Sequence, residues 1–122
     1  MVGAGVLAVI APAIDLEADA KQLVVRTLVL STALHVLMLV LEYGGRHTSK
    51  HAAAAAHLVT HGMYAGLFRS STALAGLAAA VAAVSWNGDA FAAAVIGGLA
   101  VQAALLAYES VFVRAGQDVP LS

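Results

Sequence analysis

Three stretches of the chain, residues 22–42, 63–86 and 90–113, each run for twenty residues or more with at most two charged side chains. A helix that crosses the hydrocarbon of a bilayer needs roughly 20 mainly apolar residues, and it can live there because its backbone groups are satisfied internally. The chain is therefore expected to be all-α, an integral membrane helical bundle with three full transmembrane helices. A fourth apolar stretch, residues 2–14, is too short to cross and is closed by Pro12 and the acidic run Asp15-Leu16-Glu17-Ala18-Asp19. It is expected as a short N-terminal hydrophobic helix, either one that begins partway through the bilayer or the trailing part of a longer one. No Lys or Arg precedes Lys21, so the basic start of a cleavable signal peptide is not expected. Of the 122 residues, 61% are hydrophobic and 11% charged, and the mean hydropathy is +0.90. Soluble domains carry about a quarter charged residues, so these values fit one transmembrane domain over residues 1–122.

Charge and chemistry narrow the functional classes. A formal net charge of -1 gives no basic patch for nucleic acid, and no nucleic-acid partner is expected. With no Cys, the chain has no disulfide, no thiolate metal site and no iron–sulfur cluster of its own. One His at mid-span, His35, is too few for a bis-histidine haem. No phosphate-cradling glycine loop is present, since Gly44-Gly45 precedes no Lys-Ser/Thr pair. Ser70-Ser71 has no paired base to mark a nucleophile.

Orientation follows from the basic residues. Let side X be the side that holds the loop of residues 43–62, and side Y the other. Side X collects Arg46, Lys50, Arg69 and Arg114, whereas side Y has Lys21 and Arg26 beside Asp15, Glu17, Asp19 and Asp89. The positive-inside bias puts side X and the C-terminus in the cytoplasm, with the protein a multi-pass chain of the inner (cytoplasmic) membrane. Aromatics mark the same boundaries: Trp86 and Phe91 toward Y, and Tyr43, Tyr64, Phe68, Tyr108 and Phe112 toward X.

The loop on side X has a pattern of its own. Gly44-Gly45 ends the preceding helix, Ser49 can cap a new one, and Gly62 can stop it. At 100° per residue, Lys50, His51, His57 and His61 share an arc of about 100° opposite Ala52, Ala56 and Val59. The spacing predicts an interfacial amphipathic helix over 50–61 with its basic face toward lipid headgroups. His57 and His61 are four apart, a spacing that also suits a metal, but no Glu or third fixed ligand accompanies them, and no metal is expected.

Ionisable groups inside a membrane are costly and so are seldom idle. His35 and Glu42 lie seven residues apart, and so do Gln102 and Glu109. Seven residues is nearly two turns, about 10 Å along the axis, so each pair shares a helix face. Both helices run from Y to X, which places His35 level with Gln102 and Glu42 level with Glu109. Two uses of such a seam are open. His35 and Gln102 could contact a quinone while His35, Glu42 and Glu109 form a proton path, or the four could serve interhelical hydrogen bonding alone. Small residues, among them Gly66, Ala73, Gly76, Ala80, Gly97 and Gly98, are expected where helices pack closely.

The run from Tyr108-Glu109 through Arg114-Ala115-Gly116-Gln117-Asp118-Val119-Pro120 to Ser122 resembles the C-terminal signature of the NrfD-like (polysulfide reductase membrane anchor) family. Upstream, Ala56-His57-Leu58-Val59-Thr60-His61-Gly62-Met63-Tyr64 to Phe68 is similar to that family's interfacial segment before a late transmembrane helix. The aromatic that usually follows the Phe is Arg69 here. The matches cover residues 52–122, and members of the family have eight or more spans, so the resemblance corresponds to a back half only. It implies a haem-free membrane subunit that exchanges electrons between the quinone pool (menaquinone or ubiquinone) and an iron–sulfur partner. Further expected partners are a molybdopterin or cytochrome subunit, membrane subunits that complete the bundle, and lipid. The family's best-known quinone pocket lies in the front bundle, so no pocket residue carries over. A purely structural anchor or assembly subunit without its own site is the alternative.

Overall fold

A computed structural model describes residues 1–45, 47 and 49–119. Its described residues form five α-helices: α1 (Val2–Ile10), α2 (Ala18–Gly44), α3 (Lys50–Thr60), α4 (Ala65–Ala83) and α5 (Ala92–Asp118). Three of them, α2, α4 and α5, are long and apolar enough to span a membrane. A short 3-10 turn, Ala11–Ala13, closes α1 at Pro12.

Four helices stand as the corners of a square. α4 packs on α5, α5 on α1, α1 on α2 and α2 on α4, while α2 and α5 lie on a diagonal with almost no backbone approach. The packing is inverted relative to a soluble bundle. Ala4, Ala8, Leu28, Ala78, Ala82 and Val101 make the core of the Y half, whereas Leu30, Leu34, Leu37, Leu41, Leu77, Ile96, Leu99 and Leu106 point outward. Lipid is as apolar as leucine, so small residues go where backbones must approach and large ones face the tails.

Two glycines carry the closest approaches. A Cβ at Gly97 would meet the Ala78 carbonyl at 2.8 Å and Ala82 Cβ at 2.9 Å, and one at Gly98 would meet the Gly5 carbonyl at 2.8 Å. Gly66 and Gly76 have nothing within 4 Å of that position, and Ala73 and Ala80 are exposed. Close packing by small residues therefore holds for α5 against α4 and α1, whereas Gly66, Ala73, Gly76 and Ala80 lie on the outer face of α4.

The helix ends differ most from the sequence expectation at three places. α2 begins at Ala18 rather than at 22, with Asp19 in its first turn, where the helix dipole favours an acid. α4 stops at Ala83 instead of running to 86. Val84 to Phe91 turn instead, with Gly88 at φ +87° and Ala90 at φ +51°, held by the Ser85 hydroxyl donating to the Ala90 carbonyl at 2.8 Å. α5 continues to Asp118, so residues 114–118 belong to it rather than to a tail. Ala115, buried against Val59 and Val111, explains the extra turn.

α3 crosses the X ends of α4 and α5. Ser49 caps it by accepting from the Ala52 amide at 3.1 Å, Ala56 and Val59 are buried, and Lys50, His51, His57 and His61 are exposed. Ala52, expected on the covered face, is exposed. Gly62 stops the helix because a Cβ there would meet Leu58 Cα at 2.8 Å, and its amide donates to the His57 carbonyl at 2.8 Å. Arg46 and residues 120–122, which entered the charge count and the tail motif, lie outside the described residues.

Candidate functional site

The four seam residues occupy a staggered path rather than two level pairs. α2 and α5 have 27 residues each. His35 comes 17 positions after Ala18, whereas Gln102 comes only 10 after Ala92, and it is Glu109 that comes 17 after. The expected pairing of His35 with Gln102 therefore fails by about two turns, or 10 Å. His35 instead meets Tyr108 edge-on, with ring centroids 5.5 Å apart at 83°. Gln102 donates its side-chain amide to the Val2 carbonyl at 3.0 Å, tying α5 to α1. Glu42 is level with Ala115 and Gly116, and Glu109 is turned about 100° away from Tyr108, onto the exposed surface of α5.

Aromatic side chains fill the X half. Tyr43 and Phe68 have ring centroids 4.9 Å apart, Phe68 and Tyr108 6.4 Å, and Tyr108 and Phe112 6.2 Å. Edge-to-face and tilted contacts of this kind follow from the ring quadrupoles. The phenol groups of Tyr43 and Tyr108 approach each other, and Glu42 precedes Tyr43 near the end of α2. A row thus runs from His35 through Tyr108 and Tyr43 to Glu42.

That row opens into a cleft of about 340 Å³ at side X, between the end of α2, α3 and the end of α5. Glu42, Tyr43 and His47 supply its polar groups, and Ala52, Ala56, Val59, Phe112 and Val113 its apolar wall. A second cleft of about 490 Å³ lies on side Y against Pro12, Phe91 and Ile96, with Lys21 as its one charged group. The X-side cleft is the one whose lining carries an acid, a phenol and an imidazole. Tyr43, His47, Tyr108 and Phe112 were not singled out by the helix-face argument. A signal was present all the same: each acid has a tyrosine beside it, Glu42-Tyr43 and Tyr108-Glu109.

Polar contacts brace the X-side rim. The Tyr64 hydroxyl donates to Asp118 and links the start of α4 to the end of α5. That bond to a carboxylate, which the phenolate could not make, pushes the Tyr64 phenol above its ordinary range. Arg69 donates to the Thr60 carbonyl at 3.0 Å, which gives its charge a partner on α3. His57 and His61 stack at 5.5 Å, and His61 Nδ1 pairs with the Thr60 hydroxyl at 2.8 Å. At side Y, Arg26 lies 5.5 Å over the Trp86 ring, a cation–π contact at the membrane boundary.

No protein-family model matches the chain, and no curated protein or solved structure is significantly similar to it.

Proposed function

We propose that the protein is a membrane subunit of a quinone-linked redox complex that receives a quinone headgroup in the X-side cleft. The observation that supports this most is the row His35–Tyr108–Tyr43–Glu42 ending in that cleft. The residues suit such a ligand: about 340 Å³ lies within the usual range for small-molecule sites, with mostly apolar walls and a few convergent polar groups. A bound quinone would supply two-electron, two-proton chemistry. Tyr43 and His47 line the cleft and would be the hydrogen-bond donors to a quinone carbonyl oxygen. Glu42 stands at the water-facing helix end, where it can exchange a proton with side X, and His35 holds the inner end of the row. The resemblance of the tail to the NrfD-like family points the same way and implies an iron–sulfur partner, with a molybdopterin or cytochrome subunit beyond it. In this reading the protein sits in the inner membrane with side X in the cytoplasm.

The alternative, a structural anchor without its own site, draws support from Gln102, whose amide is taken up by the Val2 carbonyl. Photolabelling of the assembled complex with an azido-quinone separates the two. The quinone reading expects label within residues 42–59 or 112–116, and turnover about tenfold lower in His35→Ala and Tyr43→Phe, which is about 1.4 kcal/mol on the barrier. Label elsewhere with unchanged turnover supports the anchor.

A further inference from the structure

Three nitrogen-bearing side chains, all exposed, gather around Thr60 at the C-terminal end of α3. Arg69 reaches back from the second turn of α4 and donates to the Thr60 carbonyl at 3.0 Å. The Thr60 hydroxyl has a single proton, which it gives to the Ala56 carbonyl at 2.8 Å. In its 2.8 Å contact with His61 Nδ1 the ring is therefore the donor. That fixes the tautomer: Nδ1 carries the proton of the neutral ring, and Nε2 is left with a bare lone pair. Nε2 becomes a donor only when His61 takes up a second proton. His57 stacks on His61, with centroids 5.5 Å apart.

The end of a helix ordinarily disfavours an anion, because its last carbonyls have no partner. Here the His57 carbonyl accepts from the His61 and Gly62 amides, that of Leu58 from the Tyr64 amide, and that of Thr60 from Arg69. On α5 the charges at this rim are Arg114 and Asp118, and Asp118 already accepts the Tyr64 hydroxyl. Glu42 and His47 lie across α3, in the X-side cleft. The membrane side narrows the choice of anion. Within about 40° of Arg69 around α4, and successively deeper, come Ala73, Gly76 and Ala80, all exposed. At Gly76 nothing lies within 4 Å of the place a Cβ would take. An acyl chain lying beneath the cations would meet no bulky side chain along that track.

We infer that His57, His61 and Arg69 bind the phosphate of an anionic phospholipid in the side-X leaflet, with its acyl chain along the Ala73–Ala80 face of α4, and that binding is coupled to protonation of His61. Arg69 supplies a permanent cation and His61 a proton-dependent one. Imidazoles take up their proton between about pH 5 and 8, so the site tightens as the pH falls through that window. The site stands apart from the X-side cleft and holds whether or not that cleft takes a quinone.

The full chain is reconstituted in phosphatidylcholine bilayers with a trace of spin-labelled phosphatidylglycerol or phosphatidylcholine, and electron paramagnetic resonance reads the motionally restricted lipid. At about pH 5.5 phosphatidylglycerol should associate about tenfold more tightly than phosphatidylcholine, and at about pH 8 only about threefold. His61→Gln should show the smaller preference at both pH values, and Arg69→Gln should lose most of it while Arg69→Lys retains it. His57→Gln, exposed and outside the Thr60 hydrogen bonds, should weaken the preference with an unchanged circular dichroism spectrum, which separates loss of the site from loss of α3. Lys50→Gln should retain the preference, because Lys50 shares the face of His61 but lies about 16 Å away along α3. The same preference at both pH values in the parent chain, or a loss in Lys50→Gln as large as in His61→Gln, would overturn the proposal in favour of diffuse attraction. Displacement of the lipid by millimolar glycerol phosphate would overturn it too, since a site that needs no acyl chain belongs to a soluble phosphate.

Discussion

At the residue scale, spacing says which side chains share a helix face but not which neighbours they meet. A seven-residue interval on a helix fixes azimuth and relative height within that helix, so His35 with Glu42, and Gln102 with Glu109, do share faces. It says nothing of how far one helix slides along another, which depends on where each begins, and the turn at Val84 to Phe91 starts α5 so that Tyr108 faces His35. Gln102 therefore belongs to the contact with α1. Gln102→Leu removes the side-chain hydrogen bond to the Val2 carbonyl that ties α5 to α1 and should cost about 0.5–1.5 kcal/mol in a detergent unfolding titration. For Tyr64, whose phenol is held above its ordinary range by Asp118, protonated tyrosine is the form the fold favours. Its contribution is thus complete below the ordinary tyrosine value of about 10, and fades as pH rises through the higher native value. Amide exchange at Ala115 to Asp118 should stay slow through neutral pH and accelerate in strong alkali, and Tyr64→Phe should show the fast exchange already at pH 7.

At the scale of elements, what was legible came from hydrophobic run length, and what was not came from contacts across the chain. The apolar runs announce α2, α4 and α5, and Ser49 with the Ala56/Val59 stripe announces α3, because these are local properties. The extension of α5 to Asp118 depends on Val59 and Tyr64, distant in sequence, which no local pattern encodes. Glycines show the same division. Gly97→Ala must displace the Ala78 carbonyl and Ala82 and should destabilise by about 1–3 kcal/mol. Gly76→Ala, in open space on the outer face of α4, should instead be neutral or add up to about 1 kcal/mol. A chemical or thermal unfolding series on the two variants checks the contrast, and a similar loss at both would mean that α4 packs through its outer face.

For the whole molecule, α2, α4 and α5 carry exposed apolar faces, and Glu109 lies exposed on one of them. In mild detergent the purified chain is therefore expected to sediment with a partner or as an oligomer, and analytical ultracentrifugation that finds a monodisperse, fully helical monomer would contradict this. The α1 segment also sets an order of events. Its residues Val2–Ala13 are tied to the fold by a hydrogen bond that reaches across 100 residues of chain to Gln102. Its docking surface does not exist until the ribosome has delivered α5. During synthesis α1 is then without its α5 contact, and the fold closes only when the last helix arrives to supply it.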